Sequence, residues 1–220
     1  VKFQQISKHI WSVRAWMIIP CHVWLVVEEE GITLVDAGVP WMAGSIQKLI
    51  DRLGAGPLRR IVLTHGHPDH VGSIKKIVQA SPVPIYAHRL EIPYAEGDLP
   101  YPGKSKPAPQ VAKGLLRPLT ELADGEIASI GALRPFFTPG HSPGHVVYYH
   151  EQDDVLLTGD LFNSKRGKLL PPRFTPNPDE ARRSARIVET LKPHRLEVCH
   201  GDTVYRPAEQ MDDFFKIAKR

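Results

Sequence analysis

The run Thr64-His65-Gly66-His67-Pro68-Asp69-His70 constrains this chain more than any other stretch. Three imidazoles and a carboxylate, all able to bind a metal, fall between His65 and His70. An apolar run, Arg60–Thr64, leads in. Val71–Val78, with Ile74, Ile77 and Val78 at helical spacing, leads out. The run is therefore read as the turn between a strand and a helix. His65 and His67 alternate about Gly66, so in an extended turn both can reach one cation. Asp69 and His70 open the helix and can face a second cation. Pro68 suits a first helical turn, where the amide it lacks would have no helical partner. Imidazole with carboxylate suits zinc, and also iron or manganese. A polar capping turn with solvated histidines explains this composition poorly.

Six residues cannot enclose two metals, so further ligands are expected elsewhere. His141, Asp160 and His200 are the candidates. Each follows an apolar run (Leu133–Thr138, Val155–Thr158, Arg195–Cys199) and adjoins glycine, which sets it at the rim of a sheet. A carboxylate such as Asp160 can bridge two cations. His145 is read as a strand-start residue instead. His9, His22, His88, His150 and His194 are read as surface or satisfied core histidines. Cys21 and Cys199 are read as buried free thiols with no catalytic context. No Gly-x-Ser-x-Gly sequence is present, so the chemistry is expected to come from metal.

The rest of the chain supplies the scaffold. The first half reads as strands Phe3–Ile6, Ile10–Arg14, Val23–Val27 and Ile32–Val35. A helix over Met42–Leu53, closed by Gly54, and a strand over Pro84–Ala87 follow. The second half reads as strands Ile127–Ser129, Leu133–Thr138, His145–His150 and Val155–Thr158, a helix Asp179–Leu191, a strand Arg195–Cys199 and a helix Ala208–Ala218. Strands followed by helices in each half predict an α+β fold, two sheets face to face with helices outside both. The chain has 220 residues with 42% apolar and 24% charged, which excludes a largely disordered chain and suits one domain over residues 1–220. Apolar runs such as Val23–Val27 are far short of the roughly 20 residues of a membrane helix. No basic-then-apolar leader opens the sequence, so a cytoplasmic protein off the membrane is expected. A net charge of +4 is too small to argue for nucleic acid. Two proline-rich stretches, Pro93–Pro118 and Ser164–Pro178, are expected to wall a substrate pocket. Trp16, Met17 and Ile18 would form its apolar side, with Asn163, Lys165 and Arg173 also lining it.

Taken together, Leu34-Val-Asp36-Ala-Gly38, the His65–His70 run, His141, Asp160 and His200 resemble, in sequence order, the dinuclear hydrolases of the metallo-β-lactamase superfamily. The resemblance covers nearly the whole chain and implies a four-layer αβ/βα sandwich. It implies that His65, His67 and His141 bind the first ion, and that Asp69, His70 and His200 bind the second. Asp160 would bridge them and Asp36 would support the site without binding metal. Two divalent ions per chain, zinc or alternatively iron or manganese, are implied, with Asp69 and Asp160 essential to catalysis.

The expected activity is hydrolysis of a small ester, thioester or lactone by a metal-bridging hydroxide. The ligand set is similar to that of glyoxalase II, but only Gly201–Arg220 follow His200, too few for that family's helical extension. Acyl-homoserine lactonases carry Tyr three positions after the bridging Asp, where this chain has Asn163. The alternative is a phosphodiesterase or nuclease, which the basic run Lys165-Arg166-Gly167-Lys168 and Arg173 would suit. A small-molecule substrate and a monomer or homodimer are expected.

Overall fold

The computed structural model describes residues 1–218. The chain divides into two compact units, Val1–Thr120 and the part from Glu121 onward.

In the first unit, β1 (Lys2–Gln5), β2 (Ile10–Trp16), β3 (Pro20–Glu28) and β4 (Gly31–Val35) pair antiparallel in chain order. Their tight turns include the acidic Glu29-Glu30. Beyond β4 the sheet becomes parallel through β5 (Leu58–Val62), β6 (Ile85–Ala87) and β7 (Leu116–Pro118). Parallel neighbours need long crossovers. These are α1 (Ala43–Leu53), then α2 (Pro68–Val71) with α3 (Ile74–Ala80), then α4 (Ile92–Ala95) with the proline-rich stretch. Val23–Val26, Ile32 and Leu34 are all buried, as continuous apolar strands covered on both faces should be. α1 buries Ile46, Leu49 and Ile50 and ends at Gly54 with φ 57°, a left-handed stop natural to glycine. The helix expected over Val71–Val78 is broken at Gly72-Ser73. A side chain at Gly72 would run into Pro40 and the Gly38 carbonyl, and Ser73 Oγ donates to the Val39 carbonyl at 2.7 Å.

The second unit holds β8 (Arg134–Phe137), β9 (Val146–His150), β10 (Val155–Leu157), β11 (Asn163–Lys165), β12 (Lys168–Leu170), α5 (Pro178–Ser184), α6 (Ile187–Leu191), β13 (Arg195–Glu197), β14 (Val204–Tyr205) and α7 (Met211–Ile217). Its sheet runs β14-β13-β10-β9-β8, with β10 and β13 parallel, and β11–β12 form a separate hairpin. Val147, Leu156 and Leu196 pack with Ala185 and Val188, and with Met211 and Phe214 from α7. Phe162 stands edge-on to Phe214 at 5.0 Å. α5 opens on a reciprocal cap: Glu180 N donates to Asn177 Oδ1 at 3.1 Å, and Asn177 Nδ2 donates to Glu180 Oε2 at 2.9 Å.

Three further expectations need correction. Ile127–Ser129 is not a strand; Ile127 makes only an isolated bridge to Glu121. The helix expected over Asp179–Leu191 is two helices, α5 and α6, parted at Ala185-Arg186. Ala208–Ala218 begins as a 3-10 turn over Pro207–Gln210 before α7. The first proline-rich stretch carries regular structure. It contains most of α4 and ends in β7, and the buried Glu96 carboxylate accepts from Gly114 N and Leu116 N, each at 2.9 Å.

Candidate metal centre

In the first unit the His65–His70 run leaves the carboxyl end of β5, beside the end of its parallel neighbour β4, where Asp36 stands. Asp36 N donates to the Val62 carbonyl at 2.9 Å, which locks the two strand ends together. Asp36 is fully buried, with φ 58°. Its Oδ1 accepts from Thr64 N and its Oδ2 from Thr64 Oγ1, both at 2.8 Å. Oδ2 also accepts the Nδ1 proton of His70 at 2.8 Å. That contact commits His70 Nδ1 and leaves Nε2 as the nitrogen that could bind a metal, an arrangement usual for ligating histidines. His65 Nε2 and His67 Nδ1 lie 3.0 Å apart, a spacing at which both can bind one ion at about 2.0–2.1 Å. Thr64 Oγ1 lies 3.1 Å from the other His65 nitrogen. Asp69, half-buried, stands in the first turn of α2; its peptide carbonyl lies 3.4 Å from the Cys21 thiol, which donates to it.

A second layer supports this turn. The buried Glu91 carboxylate accepts from Gly66 N at 2.8 Å and from the Tyr101 hydroxyl at 2.7 Å. The Tyr101 ring lies 4.8 Å from that of His67. Burial, and then the adjacent Glu91 carboxylate, push the Tyr101 phenol far above its ordinary 10.0, so it remains a hydrogen-bond donor. A Cβ at Gly66 would strike the Tyr101 hydroxyl and Ala95, which explains the glycine between the two histidines. The first proline-rich stretch thus does adjoin the metal turn. Glu91 and Tyr101 escape a reading of the sequence: Glu91 sits among apolar neighbours and Tyr101 among prolines, and only the fold joins them.

In the second unit the parallel register pairs Val155 with Arg195 and Leu157 with Glu197. Continued past the strand ends, it sets Asp160 beside His200, and Cys199 N donates to the Gly159 carbonyl at 3.0 Å. Asp160 Oδ2 lies 3.5 Å from His141 Nε2 and 3.4 Å from His200 Nε2. His145 is buried and engaged at both ring nitrogens. Its Nε2 accepts from Asp160 N at 3.2 Å, so its proton sits on Nδ1, 2.9 Å from Thr138 Oγ1. Thr175, in the second proline-rich stretch, has its hydroxyl 3.3 Å from His141 Nδ1. Cys199, passed over in the sequence, brings its sulfur within 4.8 Å of ligand atoms of Asp160 and His200.

The remaining expected residues lie on or just beyond the β2–β3 and β11–β12 hairpins. Trp16 and Ile18 are exposed around the β2–β3 turn and Met17 is half-buried. Asn163 is half-buried, and Lys165 and Arg173 are exposed. Lys165, Arg166 and Lys168 sit on the β11–β12 turn, where Arg166 N donates to Asp202 Oδ2 at 2.8 Å.

Comparison with known proteins agrees with this geometry. The family model described as the metallo-beta-lactamase superfamily matches residues 17–200. A probable metallo-hydrolase, YybB of Bacillus subtilis, is 34% identical over 210 residues, covering 93% of each chain. A hydroxyacylglutathione hydrolase of Francisella philomiragia is 30% identical over 113 residues, half of this chain and 36% of the relative. Among solved structures, a metallo-beta-lactamase from Pontibacter korlensis superposes with a TM-score of 0.74 at 21% identity, covering 100% of this chain and 99% of its own. TTHA1623, solved in a di-iron-bound form, gives a TM-score of 0.69 at 28% identity over 90% of this chain and 96% of its own. The fold is the α+β fold of those structures. The chain belongs to the metallo-beta-lactamase superfamily and is a metallo-hydrolase.

Proposed function

We propose that the ligands on the two units serve one pair of divalent ions. His65, His67 and His141 would hold one ion, Asp69, His70 and His200 would hold the other, and Asp160 would be shared between them. The enzyme hydrolyses a small ester, thioester or lactone. One observation carries the reading: a single carboxylate oxygen of Asp160 lies within 3.5 Å of His141 and 3.4 Å of His200, the two histidines assigned to different ions. The donor set, imidazole and carboxylate, suits zinc first and iron or manganese next. Paired ions of this kind lower the pKa of a coordinated water toward roughly 7 and polarise the carbonyl under attack.

The chain's own residues prepare that chemistry. Asp36 and Thr64 fix the tautomer and rotation of His70. His145 holds the backbone of Asp160, and Thr175 lies against His141. Glu91 and Tyr101 hold Gly66, and with it the spacing of His65 and His67. No serine or cysteine nucleophile is required. The family match spans both ligand sets, which supports reading residues 1–220 as one domain. Neither cysteine is in a disulfide, in keeping with a cytoplasmic enzyme. The likeness to a hydroxyacylglutathione hydrolase supports thioesters within the acyl substrates.

The test is a hydrolysis screen of thioesters, lactones, simple esters and phosphodiesters, with metal-loaded and chelator-stripped protein side by side. The expected result is metal-dependent turnover that is fastest on an acyl substrate and nearly indifferent to salt. Each phosphate contact on a nucleic acid would add roughly −0.7 to −0.9 to the slope of log affinity against log salt. A steep slope with phosphodiesters cut fastest would move the assignment to a phosphodiesterase. Turnover that survives chelation would defeat it altogether.

A further inference from the structure

Zinc, iron and manganese differ in their taste for sulfur, and one sulfur stands among the hard ligands of the second unit. Cys199 is fully buried, immediately precedes His200, and is not in a disulfide. Its Sγ lies within 4.8 Å of the ligand atoms of Asp160 and of His200. Two ligands of one tetrahedral ion, at about 2.3 Å for sulfur and about 2.1 Å for nitrogen or oxygen, stand roughly 3.6 Å apart, inside that limit. The position is also held firmly. Cys199 N donates to the Gly159 carbonyl at 3.0 Å, Thr158 N donates to the Glu197 carbonyl at 2.9 Å, and Thr158 Oγ1 donates to the same carbonyl at 2.8 Å. These bonds lace the loop carrying Asp160 to the loop carrying Cys199 and His200.

We propose that Cys199 is a thiolate ligand of the ion bound by Asp160 and His200, and that it biases this half of the centre toward thiophilic metals. The inference rests on the dinuclear reading above and adds to it a mixed nitrogen, oxygen and sulfur donor set. As the metal–sulfur bond forms, the thiol proton passes to solvent. Thiolate favours zinc and its chemical relatives, whereas a purely oxygen and nitrogen site accommodates manganese more readily. The second cysteine, Cys21, donates to the Asp69 carbonyl and serves as the internal control.

The experiment uses the full chain, stripped with chelator and titrated with cobalt(II) chloride. Visible d–d bands report any bound cobalt; a near-ultraviolet sulfur-to-cobalt charge-transfer band reports a thiolate ligand. The expected result is both sets of bands in the unaltered chain. The charge-transfer band should be lost in Cys199→Ser and kept in Cys21→Ser, with the d–d bands surviving in both. X-ray absorption of the zinc-loaded unaltered chain should show one sulfur at about 2.3 Å, a readout that needs no variant to fold. Bound cobalt without a charge-transfer band, or zinc with only nitrogen and oxygen neighbours, overturns the role of Cys199 and leaves the dinuclear reading standing. A charge-transfer band that persists in Cys199→Ser overturns it likewise. Absence of bound cobalt and zinc in the unaltered chain overturns both.

Discussion

Asp36 holds three hydrogen-bond donors, two from Thr64 and one from His70, and occupies a left-handed backbone conformation. Asparagine tolerates that conformation as well as aspartate does, so Asp36→Asn isolates the side-chain effect. The new amide must point its NH2 at a donor, so a contact to Thr64 or His70 is lost. Metal affinity or activity should fall roughly 10- to 100-fold, as for other residues that orient a ligand. Chelator-competition titration measures this, and unchanged affinity would remove Asp36 from the site. His145→Ala makes the contrasting case. Both its ring nitrogens are already engaged inside the second unit, so the number of ions bound should not change. Loss of one whole ion on elemental analysis would show that His145 is a ligand.

At the scale of elements, the sequence revealed what depends on local pattern. Buried strands such as β3 and β4 are continuous apolar runs, and α1 carries its own period and stop signal. The His65–His70 run is a motif complete in itself. What stayed hidden depends on distant pairing. β7 and β14 are too short to show a period, and the β11–β12 hairpin lies inside a run of basic residues that reads as loop. Glu91 and Cys199 have meaning only through neighbours that the chain brings together late. β13 also carries a local ion pair, between Arg195 and Glu197 two residues apart on the same strand. Arg195 Nε donates to Glu197 Oε1 at 2.6 Å and Thr203 Oγ1 donates to it at 2.7 Å. Burial raises the Glu197 carboxyl above its ordinary 4.5, while Arg195 and Thr203 pull it back. The native state therefore holds this proton more tightly than the unfolded chain. Its contribution to stability declines as pH rises from 4.5 to the raised native value, then levels off. Arg195→Ala strands a buried carboxylate and should cost roughly 3–5 kcal/mol at neutral pH. The penalty should shrink in acid, where Glu197 is protonated. Urea unfolding of both proteins at about pH 5 and about pH 8, on the linear dependence of stability on denaturant, checks it; a penalty that grows in acid would contradict the charge argument.

For the whole molecule, the ligand inventory calls for close to two ions per chain, and Asp160→Asn should reduce that number and abolish most turnover. Metal analysis of protein purified without chelator and resupplied with zinc, iron or manganese gives the count. A firm ceiling of one ion would end the dinuclear reading. The apolar interior, from Trp24 and Leu34 in one unit to Phe162 and Phe214 in the other, does not depend on metal. The stripped protein should therefore remain folded but melt earlier. Each ion at 100 times its dissociation constant stabilises by about 2.7 kcal/mol, and two ions by about 5.4 kcal/mol, which for a chain of this size means a shift of roughly 10–20 °C. Calorimetry with and without chelator measures it; a stripped chain with no cooperative transition would show that metal is needed to fold.

The proline-rich stretch of the first unit has a fixed base and an open tip. Buried Glu91 and Glu96 anchor the base through Tyr101, Gly114 and Leu116, whereas Pro102–Pro109 lie wholly exposed. Doubling the length of a flexible connection costs only about 0.6 kcal/mol. Such a tip can be shortened, extended or exchanged for another sequence without loosening the metal turn beneath it. Descendants of this chain could thus vary the tip freely in length and sequence, provided the two glutamates stay where they are.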